Sequence, residues 1–90
     1  MNKYEALFII NPDLSEEERK NLFNQINEAV SKNQGNISQG AVWAERKKLV
    51  SPIGKYREGS YYLLNFSIPP FAIKDISHAY KLNENILRVL

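Results

Sequence analysis

Positive charge is concentrated in one stretch of this 90-residue sequence. Positions 46–66 (RKKLVSPIGKYREGSYYLLNF) hold five of the twelve Lys and Arg residues: Arg46, Lys47, Lys48, Lys55 and Arg57. A single acid, Glu58, lies among them. Lys and Arg side chains neutralise phosphate groups, and each such contact releases a counterion and positions a protein without reading base sequence. The pattern therefore predicts a surface that binds a phosphate-rich partner.

Aromatic residues lie among these cations, at Trp43, Tyr56 and Tyr61. Such side chains can stack on unpaired bases or pack against a protein partner. The same charge pattern also suits a solvated edge strand that is protected from aggregation. Composition by itself leaves both interpretations open, because the net charge of the chain is only +2.

A β-hairpin is the element predicted to carry these cations. Pro52, Gly54 and Gly59 interrupt a run of β-branched and aromatic residues, which is typical of two antiparallel strands joined by a loop. The first strand of the hairpin, which is the second strand of the chain, is predicted over positions 37–50, with a bulge near Gly40 or Trp43-Ala44. Strand alternation would place Arg46 and Lys48 on one side and Lys47 on the other. In the second strand of the hairpin, alternation predicts these core residues: Tyr62, Leu64, Phe66 and Ile68.

The remaining elements complete a βαββαβ order. Positions 3–10 form an apolar strand typical of the middle of a sheet, and Ser15 with Glu18 forms a capping box that begins a helix ending near Gly35. A second helix is predicted over positions 71–82 and a last strand over 86–90. This order predicts an α+β, ferredoxin-like fold, with a four-stranded antiparallel sheet covered on one face by two helices. We expect one domain spanning residues 1–90.

Residues suited to catalysis are scarce. The chain has no cysteine and one histidine, His78, which is predicted to lie on the surface of the second helix. Glu16, Glu17 and Glu18 point in different directions on a helix and would not converge on a metal ion. We therefore expect no enzymatic activity, no cofactor and no small-molecule substrate. Glu5 interrupts the short N-terminal apolar run, so the sequence predicts no membrane association and a cytoplasmic location.

The order and spacing of several motifs resemble the family of bacterial small-subunit ribosomal protein six. The resemblance runs from Lys3 to Leu90 and rests on Tyr4-Glu5, Asn11-Pro12 with Leu14, Arg46-Lys47-Lys48-Leu49 before Pro52-Ile53 and Lys55, Gly59 before Tyr61-Tyr62, and the run LNENILR at 82–88. Two positions differ from the usual family pattern. Glu45 stands where a glycine is usual, and Ser51 stands where an aromatic residue is common.

The resemblance implies a non-catalytic constituent of the small ribosomal subunit. Such a protein would bind the central domain of small-subunit ribosomal RNA together with small-subunit ribosomal protein eighteen. The RNA contacts that the resemblance implies are Lys3, Tyr4, Arg46, Lys47, Lys48, Lys55 and Arg88. Charge and position add Tyr56 and Arg57. For the protein partner we expect the second strand of the chain, predicted at the sheet edge, and the outward face of the sheet around Trp43, Tyr61 and Leu63.

Two other classes share this fold. An RNA-recognition motif requires the pattern Lys/Arg-Gly-Phe/Tyr-Gly/Ala-Phe in its third strand, and residues 59–63 (GSYYL) do not match it. The other alternative is a stand-alone regulatory or protein-interaction module. A small-molecule regulatory domain of this kind would carry a glycine in the ligand loop after the first strand of the chain and would form a dimer. The loop at 11–14 (NPDL) has none. The local residues therefore favour the ribosomal interpretation over both alternatives.

Overall fold

The structure is a computed structural model that describes residues 1–90. Its elements follow the order βαββαβ, with one additional turn of 3₁₀ helix. The strands and helices in chain order are β1 (Asn2–Ile10), α1 (Glu16–Lys32), β2 (Asn36–Ile53), β3 (Tyr56–Ile68), the 3₁₀ turn Pro70–Ala72, α2 (Ile73–Leu82) and β4 (Ile86–Val89). The predicted ferredoxin-like fold is confirmed. Neither helix has both the length and the apolar character needed to cross a bilayer.

All four strands form one antiparallel sheet in the order β2-β3-β1-β4. β1 lies in the middle, as its two apolar faces predicted, and pairs with β3 from Asn2↔Ile68 to Ile10↔Ser60. β4 pairs only with the Phe8–Ile10 end of β1. β2 is an edge strand, as expected, and pairs with β3 alone.

The core lies between one face of the sheet and the two helices. The predicted core residues of β3 are all buried, and they contact the stripe of α1 formed by Leu22, Ile26 and Val30. At the centre, the ring of Phe8 meets that of Tyr80 edge to face, with 5.0 Å between ring centroids. Because β1 and β3 alternate strictly here, their other residues face away from the helices, on what we call the open face of the sheet.

The end of α1 differs from the prediction at Gly35. The helix ends at Lys32, and the residue in the left-handed region is Gln34, with φ 66°. Gly35 is needed for a different reason. A Cβ atom at this position would lie 2.9 Å from the carbonyl oxygens of both Ser67 and Val30, so only glycine allows the chain to pass this close to β3.

The hairpin loop is shorter than predicted. It consists of Gly54 and Lys55 between the paired residues Ile53 and Tyr56, with Gly54 at φ 57°. Pro52 lies within β2, in an irregular stretch between the pairs Lys48↔Glu58 and Ile53↔Tyr56. An irregular stretch of an edge strand tolerates proline because no regular ladder hydrogen bond is lost there. Gly59 lies within β3, where a Cβ atom would collide with the side chain of Ile9. Of the proline and the two glycines, only Gly54 thus marks the turn, whereas Pro52 and Gly59 lie within the strands.

The capping box predicted at the start of α1 is present. The Ser15 hydroxyl accepts a hydrogen bond from the Glu18 backbone N–H at 3.1 Å, and the Glu18 carboxylate accepts one from the Ser15 backbone N–H at 3.0 Å. We expect Ser15→Ala to lower the free energy of unfolding by about 0.5–2 kcal/mol, the usual cost of losing an N-cap. Urea denaturation would measure this loss. Ser31→Ala, in the last turn of the same helix, serves as a control with little effect, and equal losses in both variants would contradict the assignment.

The hydroxyl of Tyr80 should make stability depend on alkaline pH. It donates a hydrogen bond of 2.8 Å to the carbonyl of Ile26, and burial raises the pKa of Tyr80 well above its ordinary value. The unfolded chain releases this proton above about pH 10 while the folded chain retains it, so stability should fall as pH rises past that point. Tyr80→Phe should cost about 1 kcal/mol at neutral pH and weaken that fall. Parallel pH profiles for the two proteins would contradict this prediction.

Candidate nucleic-acid interface

β2 and β3 extend beyond the rest of the sheet as a two-stranded arm, which we define as residues 46–59. Pairing between β1 and β3 stops at Ser60, whereas pairing between β2 and β3 continues to Ile53↔Tyr56. The arm carries all five cations of the predicted hairpin and a single acid, Glu58. In the arm, β3 has no pairing with β1, so the only strand pairing there is between β2 and β3.

Four of the arm cations have exposed side chains that form no ion pair: Lys47, Lys48, Lys55 and Arg57. Lys55 lies in the hairpin loop, with its Nζ 5.4 Å from the ring centroid of the half-buried Tyr56. The arm thus presents cations without a salt bridge along both strands and at its tip. Like charges held this close on a stiff element favour binding of a polyanion.

Arg46 differs from the other arm cations because it is already paired. Its guanidinium lies 2.6 Å from a carboxylate oxygen of Asp13 and 3.4 Å from one of Glu58. The hydrogen bond to Asp13 is the main cause that raises the pKa of Arg46 above its ordinary value. The neighbouring Glu45 pairs with Arg19 of α1.

Sequence reasoning missed both of these ion pairs. Asp13 lies 33 positions from Arg46, and Arg19 lies 26 positions from Glu45. No local pattern links residues so far apart, since only the fold brings the start of α1 beside the base of the arm. The expected alternation of the three consecutive cations is also interrupted, because Arg46 lies in the left-handed region at φ 47°.

On the open face, one cation of the arm lies against two aromatic residues. The Nζ atom of Lys47 is 5.3 Å from the ring centroid of Trp43 and 5.5 Å from that of Tyr61. The two rings lie 5.9 Å apart, and the side chain of Trp43 is 60% exposed. Leu63 is half-buried and follows Tyr61 on the same side of β3. One predicted RNA-binding residue, Lys47, therefore lies against two predicted partner-binding residues, Trp43 and Tyr61.

Arg88 also lies close to the arm. It pairs with Ile9 across the β1–β4 ladder and is exposed. A shallow depression of about 190 Å³ is lined by Arg88 together with Ile9, Leu49, Val50, Ser51, Ile53 and Tyr61. Ile9 and Leu49 are buried here, on the side of the sheet away from the helices, and they anchor the arm to the body. Arg88 thus adds a fifth unpaired cation to the region of the arm.

Lys3 and Tyr4 lie at the other end of β1. Lys3 pairs with Ser67 and is exposed. It lies seven residues before Ile10 in the same strand, which places it about 23 Å from the base of the arm at the rise per residue of a β-strand. Tyr4 is half-buried, packs against the core and stacks on Phe66 with ring centroids 5.7 Å apart. The structure therefore does not bring these two residues together with the arm cations.

Comparison with known proteins identifies the family. The model of the family described as ribosomal protein S6 matches residues 3–90. The chain belongs to the ribosomal protein S6 family. Proteins named small ribosomal subunit protein bS6 are similar over the whole chain: that of Thermoanaerobacter pseudethanolicus is 38% identical over 90 residues and that of Caldanaerobacter subterraneus subsp. tengcongensis 36%, with 94% of each relative covered.

The fold of the ribosomal protein S6 family agrees with the architecture described above. The crystal structure of 30S ribosomal protein S6 from Thermotoga maritima superposes with a TM-score of 0.88 at 27% identity, covering 98% of this chain and 82% of that one. Membership of the ribosomal protein S6 family makes the chain a structural, non-enzymatic protein of the small ribosomal subunit, located in the cytoplasm. The resemblance noted in the sequence is thereby confirmed.

Proposed function

We propose that this chain, acting as a single domain, binds the central domain of small-subunit ribosomal RNA together with small-subunit ribosomal protein eighteen. The observation that carries the proposal is the arm with its four exposed, unpaired cations. A two-stranded ribbon with several exposed cations can lie along a groove between RNA segments. Recognition then depends on the position of phosphates and on the shape of the folded RNA.

The proposed RNA surface consists of the arm and the adjacent β4. Lys47, Lys48, Lys55 and Arg57 contact phosphates, and Arg88 extends the same surface across the sheet. Tyr56 lies near the tip of the arm, where its half-buried ring supports Lys55 and offers an edge to an unpaired base. Lys3 and Tyr4 form a separate, second contact at the far end of β1. Of these two, Lys3 is the phosphate ligand because the ring of Tyr4 is stacked on Phe66.

The proposed partner surface lies on the open face, at Trp43, Tyr61 and Leu63. Trp43 belongs to the edge strand β2, whose outer backbone groups have no strand beside them. An exposed tryptophan next to such an edge is the kind of surface that a protein partner covers. Lys47 belongs to the arm and lies against this surface, so the partner and the RNA would meet at this residue.

The test is binding of the purified chain to central-domain RNA over a salt series, with and without ribosomal protein eighteen. We expect tight binding that needs the partner, with an affinity whose logarithm falls linearly with the logarithm of salt concentration. The slope should correspond to about 0.7–0.9 per phosphate contact, by analogy with DNA. Absence of binding under all conditions would contradict the proposal and leave a stand-alone interaction module as the alternative.

Trp43→Ala should weaken binding of the partner protein without lowering the stability of the chain. Removal of a tryptophan from the centre of an interface typically costs about 2 kcal/mol or more in binding free energy, which is about a thirtyfold loss of affinity. Calorimetric titration with ribosomal protein eighteen would measure it. Leu82→Ala is the matched control, because Leu82 is 70% exposed but lies at the end of α2, away from the open face. Equal losses in both variants would contradict the assignment.

A further inference from the structure

The base of the arm is a bulge centred on Arg46. Between the pairs Ala44↔Tyr61 and Lys47↔Gly59, two residues of β2 face a single residue of β3. Arg46, the second of the two, has φ 47°, a conformation that residues other than glycine, asparagine and aspartate rarely adopt. Its backbone N–H donates a hydrogen bond of 3.3 Å to the hydroxyl of Ser60. A bulge bends its strand and increases the local twist, so this bulge contributes to the direction of the arm. Further register shifts lie between Val42 and Ala44 and between Lys48 and Ile53.

Both residues of the bulge are held by the body of the protein. The carboxylate of Glu45 pairs with Arg19 in the first turns of α1. The guanidinium of Arg46 pairs with Asp13, in the loop between β1 and α1, and also with Glu58, on the neighbouring strand of the arm. One side chain therefore connects a carboxylate of the body to a carboxylate of the arm. An uncommon backbone conformation persists when surrounding contacts hold it in this way.

We infer that Arg46 is a positioning residue that fixes the angle between the arm and the body, and that it is not itself a phosphate contact. Two carboxylates already neutralise its charge, and a phosphate would have to displace them. The unpaired cations on either side of the loop have no such competitor. The consequence for RNA binding rests on the function proposed above, whereas the consequence for arm orientation does not.

Spin-label distances test the orientation without any RNA. The chain has no cysteine, so Asn24→Cys in α1 and Ser51→Cys in the arm, both exposed, would carry the only labels. We expect one narrow distance distribution in the parent protein and a broader, shifted one when Asp13→Ala removes the body carboxylate. Arg46→Asn should broaden it as well, because asparagine accepts the left-handed conformation but lacks the ion pairs.

Asp75→Ala is the matched control for Asp13→Ala. It removes the same side chain and the same charge from an exposed position in α2 that forms no ion pair. The control should leave the distribution narrow. Distributions that remain narrow and unshifted in both Asp13→Ala and Arg46→Asn would overturn the inference.

RNA binding by Asp13→Ala separates positioning from contact. If Arg46 were a phosphate contact, Asp13 would compete with the phosphate for its guanidinium. Removal of the Asp13 carboxylate would then tighten RNA binding and steepen its salt dependence. We expect instead an affinity several-fold weaker with an unchanged salt slope, and only a slight change for Asp75→Ala. Tighter binding by Asp13→Ala would overturn the inference. If the parent chain bound no RNA, the proposed function would fail, and the distance distributions would still decide the role of Arg46.

Discussion

Replacing Lys47, Lys48 and Lys55 with glutamine should reduce the affinity for central-domain RNA on the order of a hundredfold near physiological salt. These three side chains are exposed, unpaired and confined to the arm. If each releases one counterion on binding, the slope of log affinity against log salt should become shallower by about 2–2.7. Filter binding or fluorescence anisotropy at four or more salt concentrations would give both quantities.

A second triple variant controls for net charge. Lys20, Lys74 and Lys81 are also exposed lysines without ion pairs, but they lie on the two helices. Their replacement with glutamine changes the net charge by the same amount and should alter the slope much less. Equal effects of the two triple variants would show that RNA is attracted by the total charge of the protein, and the arm would lose its proposed role.

Phe8→Ala should be the most destabilising of the substitutions considered, with a loss of about 3–5 kcal/mol in the free energy of unfolding. Phe8 is fully buried at the centre of the sheet, where its ring contacts Tyr80 and lies near Tyr62. The loss combines the transfer of the ring to water in the unfolded chain with the cavity that remains. Domains of this size are stable by about 5–15 kcal/mol, so a large part of the stability depends on this side chain.

Phe71→Ala makes the same chemical change at a surface position and serves as the control. Phe71 is 75% exposed in the 3₁₀ turn before α2, so its removal should change stability by no more than about 0.5 kcal/mol. Denaturant titration of both variants would provide the comparison, with the m-value used to check that unfolding remains two-state. A loss below about 1 kcal/mol for Phe8→Ala would mean that the core repacks around the site.

The sequence predicted the order of the elements because their signals are local. The capping box at Ser15, the strict alternation of β3 and the apolar faces of β1 each depend on residues within a few positions of one another. The cluster of positive charge was equally visible, since its residues are close together in the chain. Turn positions were less reliable, because Pro52, Gly54 and Gly59 act for three different reasons and only Gly54 forms the turn.

Only the tertiary structure decided which cations form ion pairs within the protein and which do not. Arg46 and Lys48 have the same charge and lie two positions apart, yet Arg46 is paired with Asp13, 33 positions away, while Lys48 is free. The fold likewise joined Trp43, Lys47 and Tyr61 into one surface and placed Lys3 at the opposite end of the sheet. The physical reason is that a side chain's charge and shape belong to the residue, whereas its partners are set by how distant segments pack.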